Sequence, residues 1–136
     1  MSKLIEELKR EHRVIVGTIN EVNRLGIGTK EGQNMLMSAK NSFLAHLKKE
    51  DEQIYPLLNR AAENDPELKT TLDFYAKNMD EISITVFDFF EKYSYGDSGL
   101  EFSTDYGIFY TTLSMRISKE EAVIYKKFDE LNLSNI

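Results

Sequence analysis

Turn chemistry in this chain is concentrated in three stretches: LGIGTKEG (Leu25 to Gly32), AAENDPELK (Ala61 to Lys69) and YSYGDSGLEFS (Tyr93 to Ser103). The four segments they leave are too long for strands and carry apolar residues three and four apart, the spacing that lines one face of a helix. Helices are predicted over about 3–24, 31–62, 66–93 and 104–131. Asp65 before Pro66 marks the start of the third, because Asp accepts the orphan amide hydrogens of the first turn and proline at the first helical position gives up no bond. Pro56 falls inside the second, where its missing N–H should bend the chain. Long amphipathic helices joined by short loops predict an all-α, up-down-up-down four-helix bundle. At 136 residues, a single domain spanning 1–136 is expected.

Charge and composition narrow the partners. With 23 acidic against 17 basic residues the formal net charge is −6, which repels phosphate backbones and anionic lipid. Neither nucleic acid nor membrane is an expected partner. The absence of cysteine removes disulfides, thiolate metal sites and Cys nucleophiles together. No run approaches 18 consecutive apolar residues, and the first residues, MSKLIEELKREHRVI, are charged and helix-like. A soluble cytoplasmic protein is the expectation. No phosphate-cradling glycine loop, nucleophile elbow or basic patch interleaved with aromatics is present.

The inward-facing positions are informative because of what interrupts them. Helix one gives Leu4, Leu8, His12, Ile15, Ile19 and Val22; helix two gives Leu36, Ala39, Phe43, His46, Glu50, Ile54 and Leu57. Helix three gives Leu72, Tyr75, Met79, Ile82, Val86, Phe89 and Tyr93, and helix four Phe109, Leu113, Arg116, Glu120, Ile124, Phe128 and Leu131. Five ionisable residues, His12, His46, Glu50, Arg116 and Glu120, therefore lie on otherwise apolar seams. Burying an unpaired charge costs several kcal/mol, so these side chains must meet one another, a metal or water. A lone histidine on such a seam is ordinarily a hydrogen-bonded core residue. Here His46 and Glu50 are one helical turn apart and project into the same space, as do Arg116 and Glu120.

The helical hairpin is approximately repeated. AHLKKEDEQIYP aligns with MRISKEEAVIYK, pairing Glu50 with Glu120, Asp51 with Glu121, Ile54 with Ile124 and Tyr55 with Tyr125; KREHRVI aligns with AKNMDEI, pairing His12 with Met79. Two related hairpins with carboxylate and His on facing helices are the plan of carboxylate-bridged two-metal bundles. The first hairpin keeps its histidines. The second has Met79 and Arg116 in their places.

The segments EHRVI, HLKKEDEQIYPLL and RISKEEAVIY resemble those of the hemerythrin-like family, the HHE cation-binding domain. The resemblance implies a four-helix bundle holding two irons with five histidines and two bridging carboxylates. This chain has two histidines in all, so it cannot assemble that full set. The resemblance carries over to His12, His46, Glu50 and Glu120 as the ligands of one metal, with the histidines of the other replaced. Two imidazoles with one or two carboxylates suit a single iron ion, or zinc or manganese, and leave a position for a small ligand.

Arg116 is then expected to stand where the second metal stood, offering its fork of donors to Glu50 and Glu120. Met79 reads as packing and Tyr75 as a neighbour of the site. Asp51 and Glu52 read as solvated, and Glu121 as the rival of Glu120. Two functions follow: a one-metal protein for iron handling or for sensing a diatomic molecule or oxidant, or a metal-free protein with a closed polar network that works through its surface.

Overall fold

A computed structural model describes residues 2–94 and 101–131, and every regular element among them is helical. In order these are α1 (Lys3–Leu25), α2 (Lys30–Gln53), α3 (Tyr55–Ala62), α4 (Pro66–Tyr93), α5 (Glu101–Lys119), a π-helical segment (Glu120–Tyr125) and α6 (Lys126–Glu130). Of the turn predicted over Tyr93 to Ser103, residues 95–100 lie outside the described residues, and α5 begins three residues before the predicted start at 104. No helix among the described residues is long and apolar enough to cross a membrane.

Local chemistry sets the ends. The side chains of Ser2, Thr29 and Asp65 accept from the amides of Ile5, Gly32 and Leu68, satisfying first-turn donors of α1, α2 and α4. Gly26 closes α1 at φ 90°, a backbone state that favours glycine, and donates to the carbonyl of Val22 at 2.9 Å. Gly32 packs so tightly that a Cβ there would lie 1.9 Å from the Gly26 carbonyl oxygen. The sharp α1–α2 turn needs both.

The predicted second helix is divided where proline demanded it. Ile54 has φ −107° and ψ −62°, and α3 restarts with Pro56 in its first turn. The break shifts the helical phase, so Leu58 is fully buried and the predicted Leu57 only half-buried. Leu4, Ile82 and Leu131 are likewise half-buried seam positions, and Ile5 is buried beside Leu4.

The apolar interior is in two clusters. One contains Ile5, Leu8, Ile54, Leu58, Leu72, Met79, Ile124 and Phe128; the other contains Ile15, Ile19, Phe43, Val86, Phe89, Phe109 and Leu113. All five ionisable seam residues are buried. His12 follows the first cluster's Leu8 and precedes the second's Ile15; His46 and Glu50 fall between Phe43 and Ile54, and Arg116 and Glu120 between Leu113 and Ile124. The polar residues are thus one layer between two apolar ones.

Candidate metal centre

His12 on α1, His46 and Glu50 on α2, and Glu120 on the π-helical segment converge, each offering one donor atom, with all four atoms within 4.8 Å of one another. Nε2 of His12 is 3.2 Å from Oε1 of Glu120, and Nε2 of His46 is 3.5 Å from Oε2 of Glu50 and 3.9 Å from Oε1 of Glu120. The two imidazole centroids are 4.4 Å apart. Exposure of the four residues does not exceed 2%.

Each imidazole is held from behind. Nδ1 of His12 donates to Oε2 of Glu121 at 2.7 Å, and Nδ1 of His46 donates to Oε1 of Glu11 at 2.8 Å. Glu11 in turn accepts from Nζ of Lys49 at 2.5 Å. A carboxylate at Nδ1 fixes the ring tautomer and aims the Nε2 lone pair at the centre, the support that metal-bound histidines usually have. Glu121, which the sequence presented as the rival of Glu120, is the neighbour that orients His12. Glu11 carried no sequence signal: it is half-exposed, and only the packing of α1 on α2 brings it to His46.

The residue that sequence reasoning missed is Tyr125. Its hydroxyl donates to Oε2 of Glu50 at 2.7 Å and lies 3.2 Å from Oε1 of Glu120, 3.3 Å from Nε2 of His12 and 3.2 Å from Nε2 of His46. Five residues beyond Glu120, it would point well off the inward face of a regular α-helix. The i→i+5 winding of the π-helical segment stacks residue 125 over residue 120 and turns the phenol inward. The one sequence signal was the repeat, which pairs Tyr125 with Tyr55. Tyr55 follows the break at Ile54 and donates to the other carboxylate, Oε2 of Glu120, at 3.0 Å.

Arg116 is buried, as its seam position required, but it does not fork across the two carboxylates. Its Nη1 is 3.7 Å from Oε1 of Glu120, its guanidinium carbon lies 5.4 Å over the ring of Phe43, and its Nε has no partner. The aromatic face draws the guanidinium off the axis. Beside it is a cavity of about 360 Å³ whose lining includes Arg116, Glu50, Tyr75 and Met79. Oε1 of Glu50, the hydroxyl of Tyr75 and Nε of Arg116 are the buried side-chain atoms without a partner among the described residues. All three belong to residues lining this cavity, on the side where the resemblance would put a second metal. Met79 is buried in the first apolar cluster, and Asp51 and Glu52 are exposed.

Electrostatics sort the charges. Burial opposes the charge on His46, but its hydrogen bonds to Glu120 and Glu50, the Glu50 charge and the bond to Glu11 prevail and raise its pKa to about 10. Burial lifts the Glu50 carboxyl to about 7, with the Glu120 charge adding to it against the pull of His46. Glu120 goes the other way: despite burial, His12, His46 and Arg116 hold it well below the usual carboxylate range. Burial beside the two carboxylates pushes the Tyr125 phenol up.

A helical bundle with a buried layer of two imidazoles and two carboxylates, each imidazole backed by a further carboxylate, fits a metal-binding protein. The family model for the hemerythrin HHE cation-binding domain matches residues 3–128, and the chain belongs to that family. No curated protein and no solved structure matches it.

Proposed function

We propose that this chain binds one transition-metal ion, iron first and zinc or manganese on the same donor set, through His12, His46, Glu50 and Glu120. One observation carries the reading. With both Nδ1 atoms donating outward, two imidazole Nε2 atoms, two carboxylate oxygens and the Tyr125 oxygen meet at one place, and the phenol's hydrogen is given to Glu50. Lone pairs so crowded need positive charge between them. In the metal-free protein, a proton on His46 supplies part of it; a cation would supply it in full.

The ion would supply a Lewis-acidic centre, redox-capable with iron or manganese, for a small ligand such as a diatomic molecule or oxidant. Around it the chain's own residues hold the imidazoles in one tautomer, exclude water and neutralise the carboxylates. The role this supports is iron handling or sensing, not oxygen carriage, because reversible oxygen binding in the resembled family rests on two irons. The reading includes one domain, a cytoplasmic setting and up-down-up-down topology. The last is supported by the order in which successive long helices meet the two apolar clusters, which reverses each time.

The second reading is a metal-free protein acting through its surface. It draws on the Tyr125 hydroxyl, which touches all four candidate ligands and ties the layer together without an ion. Metal analysis of the protein expressed with iron and zinc supplied separates the two. About one equivalent per chain supports the first, and less than about a tenth supports the second. Two irons per chain with the charge-transfer bands of an oxygen-bridged di-ferric centre would refute the one-metal proposal.

A further inference from the structure

We infer that Tyr125 is itself a ligand, so that the centre is a five-donor set of two imidazoles, two carboxylates and a phenolate, suited to ferric iron. The inference rests on the one-metal reading above and adds to it a residue and an oxidation state.

The argument is positional. A side chain that supports a ligand from behind touches that ligand and stays away from the others, as Glu121 does with His12, Glu11 with His46, and Tyr55 with Glu120. Tyr125 does the opposite. Its oxygen is within 2.7 to 3.3 Å of all four candidate donor atoms. Donors at right angles around one ion, with bonds of about 2.1 Å, are separated by about 3 Å. The phenol oxygen therefore occupies the same shell as the other four, at the separations that co-ligands have.

The backbone is committed to this placement. Tyr125 is fully buried, its ring stacks on that of His12 at 5.5 Å and 9°, and it comes inward through the π-helical winding, a rare conformation found frequently at functional sites. A tyrosine needed only for packing could have been served by the α-helical seam, which already buries Ile124 and Phe128 there. Phenolate is a hard, anionic oxygen donor and a known ligand of iron. On binding, the bond from Oη to iron forms as the O–H bond breaks, and the proton leaves to solvent; no electron is transferred when the iron is supplied as ferric.

The test is to load the full-length protein with ferric iron, measure iron per chain, and record visible absorption with resonance Raman spectra. Wild type should show a phenolate-to-iron charge-transfer band in proportion to bound iron, with phenolate ring modes enhanced on excitation into it. Tyr125→Phe, which keeps the buried ring, should bind iron without the band; Tyr55→Phe should keep it. Wild type that holds iron but lacks the band and the ring modes overturns the Tyr125 assignment while leaving the one-metal reading intact, as does a Tyr125→Phe variant that retains the band. Wild type that binds no iron removes the Tyr125 assignment, and if it holds no zinc or manganese either, the one-metal reading with it. Because the Raman signature is read on wild type, a variant that fails to fold leaves the question decided.

Discussion

Tyr125 on the last long helical stretch donates to Glu50 on α2 at 2.7 Å, and its counterpart in the repeat, Tyr55, donates back to Glu120 at 3.0 Å. Each tyrosine lies five residues after one carboxylate and bonds to the other hairpin's carboxylate. Each also lies at a departure from regular α-helix, Tyr55 just after the break at Ile54 and Tyr125 at the end of the π-helical segment. The repeat is therefore expressed in side-chain chemistry as well as in helix order.

The first prediction concerns pH and the metal-free protein. His46 has a folded pKa of about 10 against 6.5, so the stability its proton provides is complete below pH 6.5 and is lost as pH rises through about 10. Glu50, at about 7 against 4.5, loses its contribution earlier, as pH rises through about 7. Glu120 acts oppositely, its contribution present above 4.5 and lost only as pH falls well below that. Thermal melts in chelator should therefore show Tm falling between pH 6.5 and 10. A flat or rising Tm there would mean that His46 is neutral without metal.

Ligand assignment is tested by a pair of variants on one helix. His46→Ala should abolish metal binding, measured by metal content after dialysis, whereas Asp51→Ala, an exposed residue, should retain it. Equal losses would contradict the placement of Asp51 outside the centre.

The supporting carboxylates should matter without touching the ion. Glu121→Gln and Glu11→Gln each weaken the hold on an imidazole Nδ1, and each should lower metal affinity by roughly 10- to 100-fold in competition with a chelator dye. An unchanged affinity in both would show that the tautomers are set by something else.

Arg116→Ala removes the cation 3.7 Å from Glu120 and should cost the metal-free protein about 3 kcal/mol near neutral pH. Added divalent metal should restore part of this, since a ligand that binds only the folded state stabilises it by mass action. Arg116→His with Met79→His places imidazoles on the cavity beside the unpartnered Oε1 of Glu50, and metal content should move from about one toward about two per chain. Denaturant melts and metal analysis check both, and an Arg116→Ala protein that melts like wild type would contradict the first.

A deletion tests the π-helical segment. Removing the exposed Ala122 lets the segment relax to α-helix with Tyr125 one α-turn from Glu120, so Tm should stay within about 5 °C of wild type, a change of about 1 kcal/mol. Removing Thr112, inside regular α5, rotates the flanking seams against each other and should cost several times more. Comparable losses from both deletions would show that the extra residue is not absorbed locally.

The sequence by itself determined that the five ionisable seam residues are inside. Spacing of three and four put His12, His46, Glu50, Arg116 and Glu120 on apolar seams, and all five are buried because a helix's period leaves a seam residue nowhere else to go. Pro56 announced the break in the second helix because its missing N–H acts locally. The tertiary structure alone decided what those residues meet. Tyr125 stood off the seam in α-helical register, and only a change of winding brings it to the centre. Glu11 and Glu121 reach the imidazoles across helix interfaces, where the partner's rotation and not the local sequence sets the contact. Arg116 turns to Phe43 and Glu120 instead of spanning two carboxylates, since the choice between an aromatic face and a second anion depends on distances that only the packed helices fix.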